Sequence, residues 1–187
     1  PRAKVCFYDP ADLVATTDGT FAPAGVSEFN FTGHSFRKFV PQDYSVYSTN
    51  RNSGINFLIM RLADVYLMYA EVLNKLGDDA TAAEYVNKVR RRAYGFSPEG
   101  SQPSVDFSMT GILLRDAIRE ERFKELFAEG HRWYDIVRWK IVETEILKYN
   151  VMNKTQGPIV FDAKDYYYPI PLSEVDNNTA IQQSPGY

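Results

Sequence analysis

Glu121 and Glu125, four residues apart, come closest in type and spacing to residues that could do chemistry in this chain. On a helix, positions i and i+4 share one ridge, so the two could act as a carboxylate couple for acid/base work. Glycoside hydrolysis, however, needs carboxylates on opposite sides of the scissile bond, and neighbours on one ridge approach from a single side. The surrounding stretch, Arg115-Asp116-Ala117-Ile118-Arg119-Glu120-Glu121-Arg122-Phe123-Lys124-Glu125, is dense in opposite charges. At about 100° per residue these charges do not collect on one face, so some must be paired inside helix contacts. Ion pairs such as Glu120 with Lys124 and Arg122 with Glu125, fastening helices together, are the better reading. Exposed pairs of this kind contribute about 0.3 to 0.5 kcal/mol each. A hydrolase using Glu121 and Glu125 is the competing expectation; its turnover would vanish in Glu121→Gln.

Other reactive constellations are weaker. His131 follows Glu129 but has no second histidine four residues away, and the remaining histidine, His34, and the single cysteine, Cys6, complete no metal-ligand spacing. Neither a metal nor a cofactor is expected. No GxSxG elbow, phosphate loop or dinucleotide fingerprint occurs. Trp133 and Trp139 read as helix-interface anchors rather than ligand platforms. Sugar capture, by contrast, needs aromatic faces and amide or guanidinium donors on loops held by a scaffold. The stretch 38–56 has that composition, and Tyr44, Tyr47, Arg51 and Asn52 are its candidate ligand-binding residues. The stretch 96–107 is similar in composition.

The elements that must position these residues are mainly helical. Residues 1–54 read mostly as loop, with 5–8 and 29–31 as the best strand candidates. In 55–95, Leu62, Val65, Tyr66, Tyr69, Ala70, Leu73 and Leu76 recur at steps of three and four, and Gly77 stops the run. Asp78 or Asp79 then caps a second helix with a stripe of Ala82, Ala83, Val86, Val89 and Ala93, closed by Gly95. So short a connection makes an antiparallel, tetratricopeptide-like pair, with Ala70 facing Ala82 or Ala83. A second helix pair is expected over 111–147, as helices 111–129 and 131–147 parted by Gly130. Residues 148–187 are irregular, with Tyr168-Pro169-Ile170-Pro171 extended because proline disfavours helix before and within it. The fold class is therefore mainly α, tetratricopeptide-like helix pairs with long irregular loops, in a single domain over 1–187.

The chain of 187 residues, 44% hydrophobic and 14% aromatic, is long enough for a well-buried core. Its 21 basic and 24 acidic residues are interspersed, for a net charge of -3, which argues against a nucleic-acid partner. No stretch approaches the roughly 18 apolar residues of a membrane span. The opening Pro1-Arg2-Ala3-Lys4-Val5-Cys6 lacks the pattern of a secretory signal and reads like the middle of a longer chain.

Three segments, in order, resemble the C-terminal portion of the SusD/RagB family. The first is Arg61-Leu62-Ala63-Asp64-Val65-Tyr66-Leu67-Met68-Tyr69-Ala70-Glu71 with Asn87-Lys88-Val89-Arg90-Arg91-Arg92-Ala93. The second runs from Glu121-Arg122-Phe123-Lys124-Glu125-Leu126 to Glu129-Gly130-His131-Arg132-Trp133-Tyr134-Asp135, then Arg138-Trp139. The third is Tyr168-Pro169-Ile170-Pro171 with Glu174, and Gln183-Ser184-Pro185-Gly186-Tyr187, where the family usually has Gln-Asn-Pro-Gly-Tyr. The resemblance implies a non-catalytic, surface-exposed protein of the Bacteroidota outer membrane that captures glycans, or in some members peptides, over a SusC-like TonB-dependent transporter. It also implies a lipid-attached cysteine upstream; Cys6, with no lipobox before it, is not that anchor. A helix-repeat module binding a protein partner is the alternative expectation.

Overall fold

The computed structural model describes residues 6, 13–15, 21–23, 38–39, 55–56, 58–152 and 157–187. They fall in two compact units, Pro1–Glu129 and Gly130–Tyr187. Cys6, the one described residue of the 5–8 stretch, is helical, which corrects the strand expected there; 29–31 lies outside the described residues. Strand composition is a weak guide where side chains do not line a sheet face. Two short strands form instead, β1 (Leu13–Ala15) antiparallel to β2 (Phe21–Pro23), with Val14 opposite Ala22.

The first unit is built around α1 (Leu62–Leu76), α2 (Asp79–Ala93) and α3 (Gly111–Glu125). Gly77 takes φ 86°, so its N–H reaches the carbonyl of Asn74 and the N–H of Asp78 reaches that of Leu73. That double bond satisfies the last carbonyls of α1 and turns the chain sharply. The Asp78 carboxylate then accepts from the N–H of Thr81 at 3.1 Å and starts α2, as its type and place predict. Asp79 accepts from the N–H of Gly111 at 2.6 Å and from the Asn74 amide at 2.6 Å, tying the start of α3 to the α1–α2 turn.

α3 packs against both α1 and α2. The core of the unit is Leu67, Ala70, Ala82, Val86, Val89, Leu114 and Ile118. Ala70 and Ala82 are completely buried, so their small side chains do permit a close helix approach. Burying each of the larger members contributes about 1.5 to 3 kcal/mol. The buried face of α1 is the one through Asp64, Leu67 and Ala70, whereas Leu62, Val65, Tyr69 and Leu76, which the periodicity marked as a core face, are exposed. α1 is apolar nearly all round, and α2 and α3 take only one side of it.

In the second unit the single helix expected over 131–147 is two, α4 (His131–Arg138) and α5 (Val142–Met152). Lys140 sits at φ 57°, its N–H bonded to Val137 and that of Ile141 bonded to Ile136, the same double-bonded stop that Gly77 makes. A side chain in this region costs about 1 to 2 kcal/mol. The Lys140 ammonium lies 4.3 Å from the Tyr166 ring centroid, a cation–π contact that offsets part of that cost. Likewise the helix expected to reach 129 ends at Glu125, and Ala128 at φ 61° turns the chain before Gly130.

Beyond α5, a 3₁₀ turn (Ala163–Tyr166) and α6 (Leu172–Asn177) flank the extended 168–171 stretch. The side-chain amide of Gln183 imitates a neighbouring strand there: its Oε1 accepts from the N–H of Ile170 at 2.7 Å and its Nε2 donates to the Ile170 carbonyl at 2.9 Å. Ser184 Oγ donates to the carbonyl of Tyr168 at 2.9 Å. Gly186 closes the return at φ 92°, where a Cβ would stand 2.7 Å from Lys164 Cβ. Gly186→Ala is therefore expected to loosen this return by about 1 to 2 kcal/mol. Hydrogen exchange should show faster exchange at Ile170 with α1–α3 unchanged.

Candidate functional site

The charged ridge of α3 becomes an ion-pair ladder. Glu121 and Glu125 lie on it, Glu129 follows in the turn after it, and all three side chains are buried. Glu121 accepts from Arg90 of α2 at 3.0 Å. Arg90 also donates to the Val105 carbonyl at 2.8 Å and stacks 3.7 Å from the Phe107 ring centroid. Glu125 binds Arg92 and, at 2.5 Å, Arg61. Glu129 receives Arg61 Nε at 2.8 Å and Nη2 at 2.7 Å, and also the Lys38 ammonium. The same two cations serve backbone carbonyls left open at the end of α3. Arg61 reaches that of Glu125 at 2.6 Å and Lys38 that of Phe127 at 2.9 Å.

Arg122, on another side of α3, is bonded to Asp64 of α1 at 2.8 Å, both side chains being almost wholly buried. The partner expected for Arg122 was Glu125. Asp64 takes that place because it sits on the buried face of α1, one turn before Leu67. Glu120 and Lys124 pair at 3.0 Å as expected, both about half exposed.

Burial works against ionisation of Glu129, yet its bonds with Arg61 and Lys38 prevail and hold its pKa below the ordinary carboxylate value. For Arg61, burial opposes the charge, and the bonds to Glu129 and Glu125 more than restore it. Glu145 follows the same rule in the second unit: burial raises its pKa, and Lys148 and Arg132 bring it below the usual value. Such groups stabilise the fold above the unfolded glutamate pKa, about 4.3, and lose that contribution as pH falls through their lower folded values. Urea unfolding between pH 7 and 3 should show stability nearly flat to about pH 5 and falling below about pH 4. Glu129→Gln should reduce that slope.

An ionised Glu129 is an acceptor only, and Glu121 and Glu125 are taken up by guanidinium groups in a closed helix contact. The ladder can fasten α3 to α2 and to the segments at Lys38 and Arg61. It presents no carboxylate to opposite sides of a substrate bond. The two carboxylates that spacing brought together are thus engaged in helix contacts with Arg90, Arg61 and Arg92.

The 96–107 stretch is likewise a brace. Asn87 exchanges two bonds with Phe107, donating to its carbonyl at 3.0 Å and accepting from its N–H at 2.7 Å. Arg91 binds Asp106, Glu84 and the carbonyl of Pro98. Phe107 packs against the core. Sequence reading missed Asp64, Asn87 and Arg91, although a polar residue recurring on a buried helix face was a signal available for each. His131 and both tryptophans are half-buried, and Trp139 lies 4.7 Å under the Arg138 guanidinium. Tyr44, Tyr47, Arg51 and Asn52 lie outside the described residues.

The model of the SusD family matches residues 12–187. A SusD-like protein, P25, from Formosa agariphila is 38% identical over 135 residues, covering 71% of this chain and 24% of that protein. The starch-binding protein SusD of Bacteroides thetaiotaomicron is 30% identical over 135 residues, covering 69% of this chain and 21% of that protein. The crystal structure of a SusD homolog from Bacteroides thetaiotaomicron superposes with a TM-score of 0.70 at 27% identity, over 100% of this chain and 40% of that one. The chain spans about a quarter of the length of the curated relatives it matches.

Proposed function

Because this chain belongs to the SusD family, we propose that it is part of a non-catalytic glycan-binding protein at the Bacteroidota cell surface. In this reading the protein is lipid-anchored to the outer membrane and passes oligosaccharide to a SusC-like TonB-dependent transporter. The observation that carries it is the family match over 12–187, joined by a relative described as starch-binding. Charge agrees: an interspersed net charge of -3 suits a neutral, hydroxyl-rich ligand better than a polyanion. The described helices are scaffold, so ligand contacts fall to loops, with Tyr44, Tyr47, Arg51 and Asn52 the proposed contacts from this chain.

Isothermal titration of the full-length protein against a panel of neutral glycans and peptides tests the reading. The expected outcome is saturable binding to at least one oligosaccharide, left unchanged by Glu121→Gln. Binding to peptides alone, or to none of the panel, would overturn the glycan reading. Recovery of a soluble protein partner in place of an outer-membrane transporter would favour a helix-repeat interaction module.

A further inference from the structure

Two lysines of the second unit meet tyrosine rings. Lys140 Nζ lies 4.3 Å from the Tyr166 ring centroid and 6.0 Å from that of Tyr167, and Lys164 Nζ lies 5.1 Å from that of Tyr187. The Tyr187 hydroxyl donates to the Tyr167 carbonyl at 3.3 Å, so the two contacts share one patch. Among the described residues neither ammonium has an ion pair or a hydrogen bond to a protein acceptor. The carboxylates beside Lys164 in sequence are turned to the backbone: Asp165 accepts from the N–H of Asp162 at 2.7 Å, and Asp162 from that of Ala163 at 2.6 Å. Lys140 holds its place at φ 57°, where a glycine would make the same stop without strain. The ring contact offsets part of that strain and leaves the three N–H donors of the ammonium open. Tyr167, Tyr168 and Tyr187 are each about half exposed or more, so aromatic surface lies beside the two charges.

We propose that this patch is a subsite for an acidic sugar unit, a uronate. Its carboxylate accepts from Lys140, Lys164 adds to the local positive charge, and the C–H face of the sugar lies on exposed tyrosine. The subsite rests on the glycan-binding reading and narrows it to glycans whose otherwise neutral chain carries an occasional acid, since a net charge of -3 disfavours a polyanion.

Saturation-transfer NMR of the full-length protein with glucuronate and galacturonate, against glucose and galactose at equal concentration, tests it. Transfer to the uronate ring protons is expected, weakening as salt screens the charges, with little or none to the neutral sugars. Lys140→Gly is expected to weaken uronate binding on the order of tenfold, the loss of one charge-assisted bond, at a melting temperature no lower than that of wild type. A lysine kept only for its ring contact would instead lose stability when removed. Lys140→Arg is expected to keep most of the binding, and Lys164→Gln to lose part of it. Equal transfer to glucose and glucuronate, or unchanged uronate binding in Lys140→Gly, would overturn the site. Acetate displacing the uronate at equal concentration would show a bare-anion contact and overturn the sugar assignment. If the panel of neutral glycans gave no binding while uronate binding still depended on Lys140, the neutral-glycan reading would fail and the subsite would stand.

Discussion

An Asp64→Ala variant is expected to lose about 3 to 5 kcal/mol of unfolding free energy, although the substitution removes only a carboxylate. The side chains of Asp64 and Arg122 are 4% and 3% exposed and meet at 2.8 Å between α1 and α3. Without Asp64, the Arg122 guanidinium keeps its charge in a contact closed to water and loses the carboxylate that meets it at 2.8 Å, so its desolvation is less fully offset. The companion experiment is Asp64→Leu with Arg122→Met, which removes both charges and keeps volume. That double variant is expected to recover most of the loss, because apolar residues of similar size replace buried pairs at little cost. Lys124→Ala, at the half-exposed pair on the same helix, should cost about 0.5 kcal/mol or less. Urea unfolding midpoints read all three. An Asp64→Ala variant within about 1 kcal/mol of wild type would show that water reaches this contact.

Asp64 also shows which parts of the fold were legible. The existence of α1 and α2 followed from period and punctuation: Gly77 and Gly95 stop them in the left-handed region and Asp78 caps the second. Which face of α1 is buried did not follow. A helix apolar on most sides yields a strong period without a unique core face, and the stripe through Leu62, Val65, Tyr69 and Leu76 is exposed. Asp64, Leu67 and Ala70 face the core because Ala70 allows close approach and Asp64 meets Arg122 there. The stop at Lys140 was invisible for another reason. Sequence reading looks for glycine or proline at a left-handed position, and a lysine was placed there by its surroundings.

The chemistry of the ridge was half legible. Spacing and charge density around Glu121 and Glu125 pointed to buried pairing, which the structure bears out. The partners, Arg90, Arg92 and Arg61, come from elements 31 to 64 residues away, and no local pattern names them. The loop reading was weaker, because aromatic, amide and charged residues suit a sugar site and a core cover equally well. For 96–107 the decision came from Asn87 and Arg91, whose side chains hold the loop down.

Arg91 carries the second large expectation. It is 2% exposed and sits near the end of α2, where a basic residue would ordinarily be read as complementing the helix dipole. Instead it is clamped twice, by Asp106 through Nε and Nη2, each at 2.8 Å, and by Glu84 at 2.8 and 2.9 Å, with a further bond to the Pro98 carbonyl. The bonds with Glu84 and Asp106 raise its own pKa, and its bond holds that of Asp106 below the usual range. Arg91→Ala is expected to cost about 3 to 5 kcal/mol and to expose amides across 97–106 to exchange. Arg91→Lys should recover little, since a single ammonium cannot donate in parallel to two carboxylates and a carbonyl. If the lysine variant matched wild type in unfolding midpoint, charge alone would hold the loop. If it failed as alanine does, the planar fork of the guanidinium is what joins the loop to α2.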